Sequence, residues 1–228
     1  MSEYIVSTPW DSKVFGINTF EIINRPEIDL NQVISQIVSA NKPGHYTVKV
    51  DPLTSKKVWH DYNFYYCDTL IQPYCTPNRF ICFQQEGIYI SRAIHLDELI
   101  KICHGAFVHG RFHRDFNIDK NLADIRYDLW LEELYKAKSV FGLMHDDNLA
   151  GFFGFDNNKI VLHALSKEYR GKGMAKYFWS VACQELFSEG HAELISSISV
   201  SNVAALNLYS SLGFKFRNPL DAYHILIK

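Results

Sequence analysis

The run Ile160-Val161-Leu162-His163-Ala164-Leu165-Ser166-Lys167-Glu168-Tyr169-Arg170-Gly171-Lys172-Gly173-Met174-Ala175 has the residue types and spacing in this chain best suited to chemistry. It reads as a strand, a short turn and the glycine-bearing start of a helix. Gly171 and Gly173 have no Cβ, so a ligand can come close to the main chain. The N–H groups of a first helical turn have no intrahelical acceptors, and the helix dipole adds positive potential there. Arg170, Lys172 and Lys176 add charge. Such a turn makes a seat for a diphosphate. The spacing is neither G-x-x-x-x-G-K-[ST] nor G-x-G-x-x-G, so the P-loop and the dinucleotide fingerprint are excluded.

Other chemistry-bearing residues give weaker patterns. His109 and His113 are four apart, with His104 nearby. On a helix such a pair could grip a metal, but no third ligand of matching spacing follows, and no metal is expected. The five cysteines, Cys67, Cys75, Cys82, Cys103 and Cys183, are odd in number and contain no C-x-x-C. They read as reduced structural thiols of a cytoplasmic protein rather than a disulfide framework, a zinc site or a nucleophile.

The elements that must position these residues follow from periodicity. In the first part, strands are expected at 19–23, 45–50 and 64–71, with helices at 28–40 (apolar at 30, 33, 34, 37 and 38) and 56–62. This β-α-β-α-β order implies a small sheet covered by helices. Prolines 73 and 77 should break any regular element across 71–79. A short strand at 87–92 and a helix at 93–103 follow, and the domain division is placed at 1–85 and 86–228. In the second part, a helix over 121–136 presents Leu122, Ile125 and Leu129 on one face. Strands at 139–144 and 149–156 form a hairpin around Asp146-Asp147-Asn148, and a strand at 159–165 follows. A helix over 171–188 is stopped by Gly190, and a strand at 192–200 comes next. A helix over 202–212 has Gly213 after its end, and two strands flank an Asn218-Pro219 turn.

Composition sets the outer bounds. The 228 residues carry 23 Lys+Arg and 25 Asp+Glu, a net charge of −2, which gives no general field for nucleic acid or anionic membrane. At 47% hydrophobic and 21% charged, the chain is ordinary globular material. No apolar run approaches the ~18 residues of a membrane span, and the first ten residues lack the basic and apolar regions of a signal peptide. Aromatics, at 14%, suit either a thick core or a cleft for a flat or sugar-like ligand.

Arg170-x-x-Gly173-x-Ala175 matches the [RQ]-x-x-G-x-[GA] signature of the GNAT acyltransferase superfamily. The later run of Asn202, Ala205, Tyr209 and Gly213-Phe214, after a strand at the expected distance, resembles the second half of that fold. The resemblance implies an α/β GNAT fold: a mixed twisted sheet whose central parallel strands, here 159–165 and 192–200, splay apart around the pantetheine of acyl-CoA. Main-chain groups near His163, Ala164 and Leu165 would pair with the pantetheine and thioester. Arg170, Gly171, Lys172, Gly173, Met174, Ala175 and Lys176 would bind the pyrophosphate, and Asn202 would contact the cofactor near its acyl end.

A closer resemblance, to the bacterial dTDP-fucosamine acetyltransferases, runs through nearly the whole chain. It rests on Val14-Phe15-Gly16-Ile17-Asn18 within Trp10 to Ile22, on Val48-Lys49-Val50 leading to Asn63-Phe64, on Gly110-Arg111-Phe112-His113-Arg114, and on Ala123-Asp124-Ile125-Arg126-Tyr127-Asp128-Leu129-Trp130. It implies a smaller, truncated GNAT-like α/β domain ahead of the catalytic one. It also implies transfer of acetyl or a larger acyl group to the amine of a dTDP-linked amino-dideoxysugar for surface polysaccharide. Dimers are common in that family.

Direct attack of an amine on a thioester needs a polarised carbonyl and a proton for the thiolate. Tyr209, two helical turns after Asn202, takes the family's proton-donor role by this resemblance. His163, where the family has an apolar residue, is a candidate base beside water. Arg111, His113 and Arg114 would form a basic patch for the acceptor's diphosphate. The rival expectations are a GNAT enzyme acting on a protein N-terminus or lysine, and a non-catalytic CoA-binding module.

Overall fold

The computed structural model describes residues 4–24, 29–39 and 42–228. In chain order the strands are β1 (Ile5–Ser7), β2 (Thr19–Ile22), β3 (Gly44–Val50), β4 (Tyr65–Cys75), β5 (Ile88–Ser91), β6 (Val140–His145), β7 (Asn148–Asp156), β8 (Lys159–Leu165), β9 (Leu194–Ser196), β10 (Ile198–Ser199) and β11 (Lys215–Ile227). The helices are α1 (Pro9–Phe15), α2 (Leu30–Ser39), α3 (Lys57–Asp61), α4 (Leu96–Cys103), α5 (Arg111–Arg114), α6 (Lys120–Lys136), α7 (Ala175–Ser188) and α8 (Val203–Ser211). This is the expected mixed α/β architecture. Ile28 and Ala40, the expected ends of α2, lie outside the described residues.

The chain divides into two compact units. One comprises residues up to Leu70, His109–Arg126 and Asn218–Lys228; the other comprises Ile71–Val108 and Tyr127–Arg217. This differs from the expected division after residue 85, and two strands show why. β4 runs through Pro73 and ends only before the 3₁₀ turn Pro77–Arg79. β11 is one strand, where two flanking a turn were expected. Asn218 takes φ +52, a left-handed conformation asparagine tolerates, and the strand continues through it.

In the first unit β1 pairs antiparallel with β2, β2 parallel with β3, and β3 antiparallel with β11 from Val50↔Asp221 to Gly44↔Ile227. Val33, Ile34 and Ile37 of α2 pack on Ile22, Tyr46, Val48 and Tyr223, with Trp59 and Phe64. A polar hub lies in the same unit. Asp115 Oδ2 accepts from His45 Nε2 at 2.8 Å and His224 Nδ1 at 2.7 Å. Its Oδ1 accepts from the Tyr65 hydroxyl at 2.9 Å and the Asn117 N–H at 2.8 Å. Burial of Asp115 would raise its pKa, but the donors from His224, His45 and Asn117 outweigh it and hold the carboxyl well below its usual range. Burial pushes His224 down to about 4 despite the Asp115 bond.

In the second unit the strands lie in the order β4-β9-β8-β7-β6-β5. The β6–β7 hairpin closes on Asp146 and Asp147, both with positive φ, and β7–β8 closes on Asn157 and Asn158. One core sets Phe141, Phe153 and Phe155 against Phe178, Trp179 and Leu186 of α7. Another sets Phe152 and Leu162 against Leu99, Leu131 and Leu134. Much of the aromatic excess therefore goes into the core. The buried positions of α6 are Ala123, Leu131 and Leu134 rather than the expected Leu122, Ile125 and Leu129. The helix serves two cores: Ala123 packs with Phe15, Phe112 and Ile118, and the later pair packs under β7 and β8. No helix among the described residues is long and apolar enough to cross a membrane.

Candidate functional site

β8 is bonded to β7 from Lys159 to Leu165. Its parallel ladder with β9 holds, among the described residues, only Lys159↔Ile195 and Ile160↔Ser196. Beyond Ile160 the two strands part, and the expected strand over 192–200 is interrupted at Ser197. His163, three residues beyond Ile160, stands on the face covered by α7. Its ring meets Trp179 edge-on at 4.9 Å.

The Tyr209 hydroxyl lies at this fork. Tyr209 is fully buried on α8, and its Oη contacts His163 Nε2 at 2.9 Å and Ser196 Oγ at 3.2 Å. One hydroxyl thus touches both parting strands. Burial keeps the phenol well above its usual pKa of 10, although Ser196 counteracts it, so Tyr209 is protonated at neutral pH. Burial lowers His163 to about 4, so its imidazole is neutral. Asn202 is the N-cap of α8: its Oδ1 accepts from the Ala205 N–H at 3.1 Å. That cap fixes the helix start two turns before Tyr209.

The glycine turn differs from expectation in one respect. α7 begins at Ala175, so Gly171 (φ +72) and Gly173 (φ +70) lie in the loop ahead of it. A Cβ at either would meet nothing within 4 Å, so their surroundings are open. Arg170 Nε donates to the Leu165 carbonyl at 2.7 Å and ties the loop to the end of β8. Lys172 is exposed, and the Lys176 ammonium lies 4.7 Å over the Phe83 ring. Met174 and Ala175 bring the chain into α7, leaving the first-turn N–H groups without intrahelical acceptors.

Other expected site residues have different partners. His113 is buried with Nε2 on Asp124 at 2.8 Å. Arg114 donates to buried Asp68 at 3.0 Å, and Arg111 lies 4.6 Å over the Phe112 ring. His104 is bound to Asp128 at 2.6 Å. None of the five cysteines is in a disulfide, and burial pushes Cys183 far above its usual pKa. Sequence reading missed Ser196 and the His45–Asp115–His224 hub. One serine in Ser196-Ser197-Ile198-Ser199 carries no distinguishing signal, and the hub joins residues 70 and 109 positions apart.

Residues 118–221 match the acetyltransferase (GNAT) domain family. That segment is similar to a GNAT acetyltransferase domain. The chain is accordingly an acyl-CoA-dependent N-acyltransferase, with acyl-CoA as co-substrate. Solved structures share the GNAT fold at low identity. A GCN5-related N-acetyltransferase from Sphaerobacter thermophilus is 12% identical with a TM-score of 0.64, over 98% of this chain and 76% of that one. A conserved protein of unknown function from Staphylococcus epidermidis is 10% identical with a TM-score of 0.65, over 100% and 93%. A tandem GNAT protein from the clavulanic acid biosynthesis pathway is 9% identical with a TM-score of 0.55, over 92% and 75%. No curated protein matches the chain.

Proposed function

We propose that the GNAT domain moves an acetyl or larger acyl group from acyl-CoA to the amine of a dTDP-linked amino-dideoxysugar used for surface polysaccharide. The observation that carries the site assignment is the Tyr209 hydroxyl at the β8–β9 fork, beside His163. The pantetheine arm enters the fork and pairs with main chain at His163, Ala164 and Leu165. The loop and helix start, Arg170 to Lys176, hold the diphosphate, and Asn202 lies toward the acyl end. The neutral amine attacks the thioester carbonyl, the C–S bond breaks, and Tyr209 gives its proton to the sulfur. The acceptor class rests on the motifs at 14–18, 110–114 and 123–130. Within it, Arg111, His113 and Arg114 keep a proposed role near the acceptor's diphosphate, with Arg114 the exposed member. The unit containing β1 to α3 is read as a truncated GNAT-like domain, which the fold likeness to a tandem GNAT protein supports.

The deciding measurement is release of free CoA thiol from acetyl-CoA and longer acyl-CoAs with dTDP-amino sugars, peptide N-termini and lysine peptides. Turnover confined to the nucleotide sugars is expected. Turnover confined to peptides would replace this acceptor, and none with any amine would remove the enzymatic reading. Gly173→Val separates the cofactor seat from the chemistry. A branched residue at φ +70 costs about 1–2 kcal/mol, so the KM for acyl-CoA should rise about tenfold with a smaller change in kcat. An unchanged KM would move the diphosphate away from this loop.

A further inference from the structure

The hydrogen inventory around Tyr209 restricts which group donates to which, given the acyl-transfer reading above. Ser196 is buried at the last rung of the β8–β9 ladder. Its hydroxyl donates to the Ile160 carbonyl at 2.9 Å. Serine has one hydrogen, so Ser196 offers only a lone pair to Tyr209 Oη, 3.2 Å away. The hydrogen in that contact is the tyrosine's. Tyr209 also has one hydrogen, so its 2.9 Å contact with His163 is filled by a hydrogen on Nε2.

We infer that Ser196 is a positioning residue for acyl transfer: by committing its hydrogen to Ile160 it makes Tyr209 a donor at the fork and His163 Nε2 a donor to Tyr209. Two consequences follow. His163 Nε2 carries a hydrogen in the resting site, so it does not serve as the base for the amine, and that proton leaves through water. When the C–S bond breaks, the sulfur takes the Oη hydrogen. The phenolate then accepts from His163 Nε2, and the Ser196 hydrogen can turn from Ile160 onto it. Oη regains a hydrogen from water, which has received the proton lost by the amine, so the amine loses one hydrogen and the sulfur gains one.

The test is a double-mutant cycle on full-length protein, with thiol release as the readout and thermal unfolding to confirm folding. Ser196→Ala should lower kcat about tenfold, the worth of one well-made hydrogen bond, with KM for acyl-CoA unchanged. In the Tyr209→Phe background the same substitution should change kcat less than about twofold, because its effect passes through the missing hydroxyl. An equal loss in both backgrounds, a loss confined to KM, or no loss would overturn the inference and leave the acyl-transfer reading standing. A wild-type protein inactive toward every amine overturns both.

Discussion

Replacing Tyr209 with phenylalanine is expected to lower kcat for acyl transfer by about 10²–10³-fold, with KM for acyl-CoA within a small factor of wild type. The ring stays and only the proton donor is removed, so packing against Phe214 at 4.9 Å survives. The size follows from the leaving group: without Oη–H the thiolate departs as an anion in a site walled by Phe153 and Trp179. His163→Ala should cost less, roughly tenfold, because His163 acts on Tyr209 and not on the sulfur. The reverse order of kcat loss would overturn both roles. A pH profile adds a separate check. Because His163 stays neutral down to about 4, wild-type kcat should show no inflection near 6.5. An inflection there that disappears in His163→Ala would mean the imidazole titrates in the working site.

How much of this was legible in the sequence depends on whether the information is local. Hairpins were readable because Asp146-Asp147 and Asn157-Asn158 tolerate positive φ between apolar strands. The glycine turn was readable because two glycines and three basic residues sit within seven positions. Tyr209 was singled out only through the family resemblance, with its spacing of two helical turns from Asn202 placing the two on one face. What failed was non-local. Pro73 lies inside β4, where the sequence rule of a proline break predicted an interruption; the strand's neighbours rather than its composition decide this. The start of α7 was placed four residues early because the sequence does not show that Gly171 and Gly173 take positive φ, which keeps them out of the helix. The ion pairs of His113 and Arg114 could not be read locally, because their partners, Asp124 and Asp68, stand 11 and 46 residues away.

Acid should destabilise the first unit well above the pH at which carboxylates titrate, and His224 is the reason. Its folded pKa of about 4 lies below the ~6.5 of an unfolded histidine. Between those values the unfolded chain holds a proton that the folded chain refuses, so stability falls as pH falls through the window. At about 1.4 kcal/mol per pH unit, this fully buried group accounts for a loss of about 3 kcal/mol by pH 4. Asp115 works in the same direction at lower pH. Its carboxyl is held down in the fold, so its contribution is present above ~3.9 and is lost as acid protonates it. Amide exchange of Gly44–Val50 reads this unit directly, since β3 is flanked by β2 and β11. Wild-type protection there should fall steeply from pH 6.5 to 4 after correction for intrinsic exchange, and His224→Gln should flatten the fall. Asp115→Ala should be worse at neutral pH, by about 3–5 kcal/mol, because it strands two ring N–H groups and the Tyr65 hydroxyl in a buried site. A His224→Gln slope equal to wild type would show that the imidazole is not held neutral by its burial. A fall steeper in His224→Gln than in wild type would show the imidazole protonated in the fold, an ion pair stabilising in the opposite pH direction.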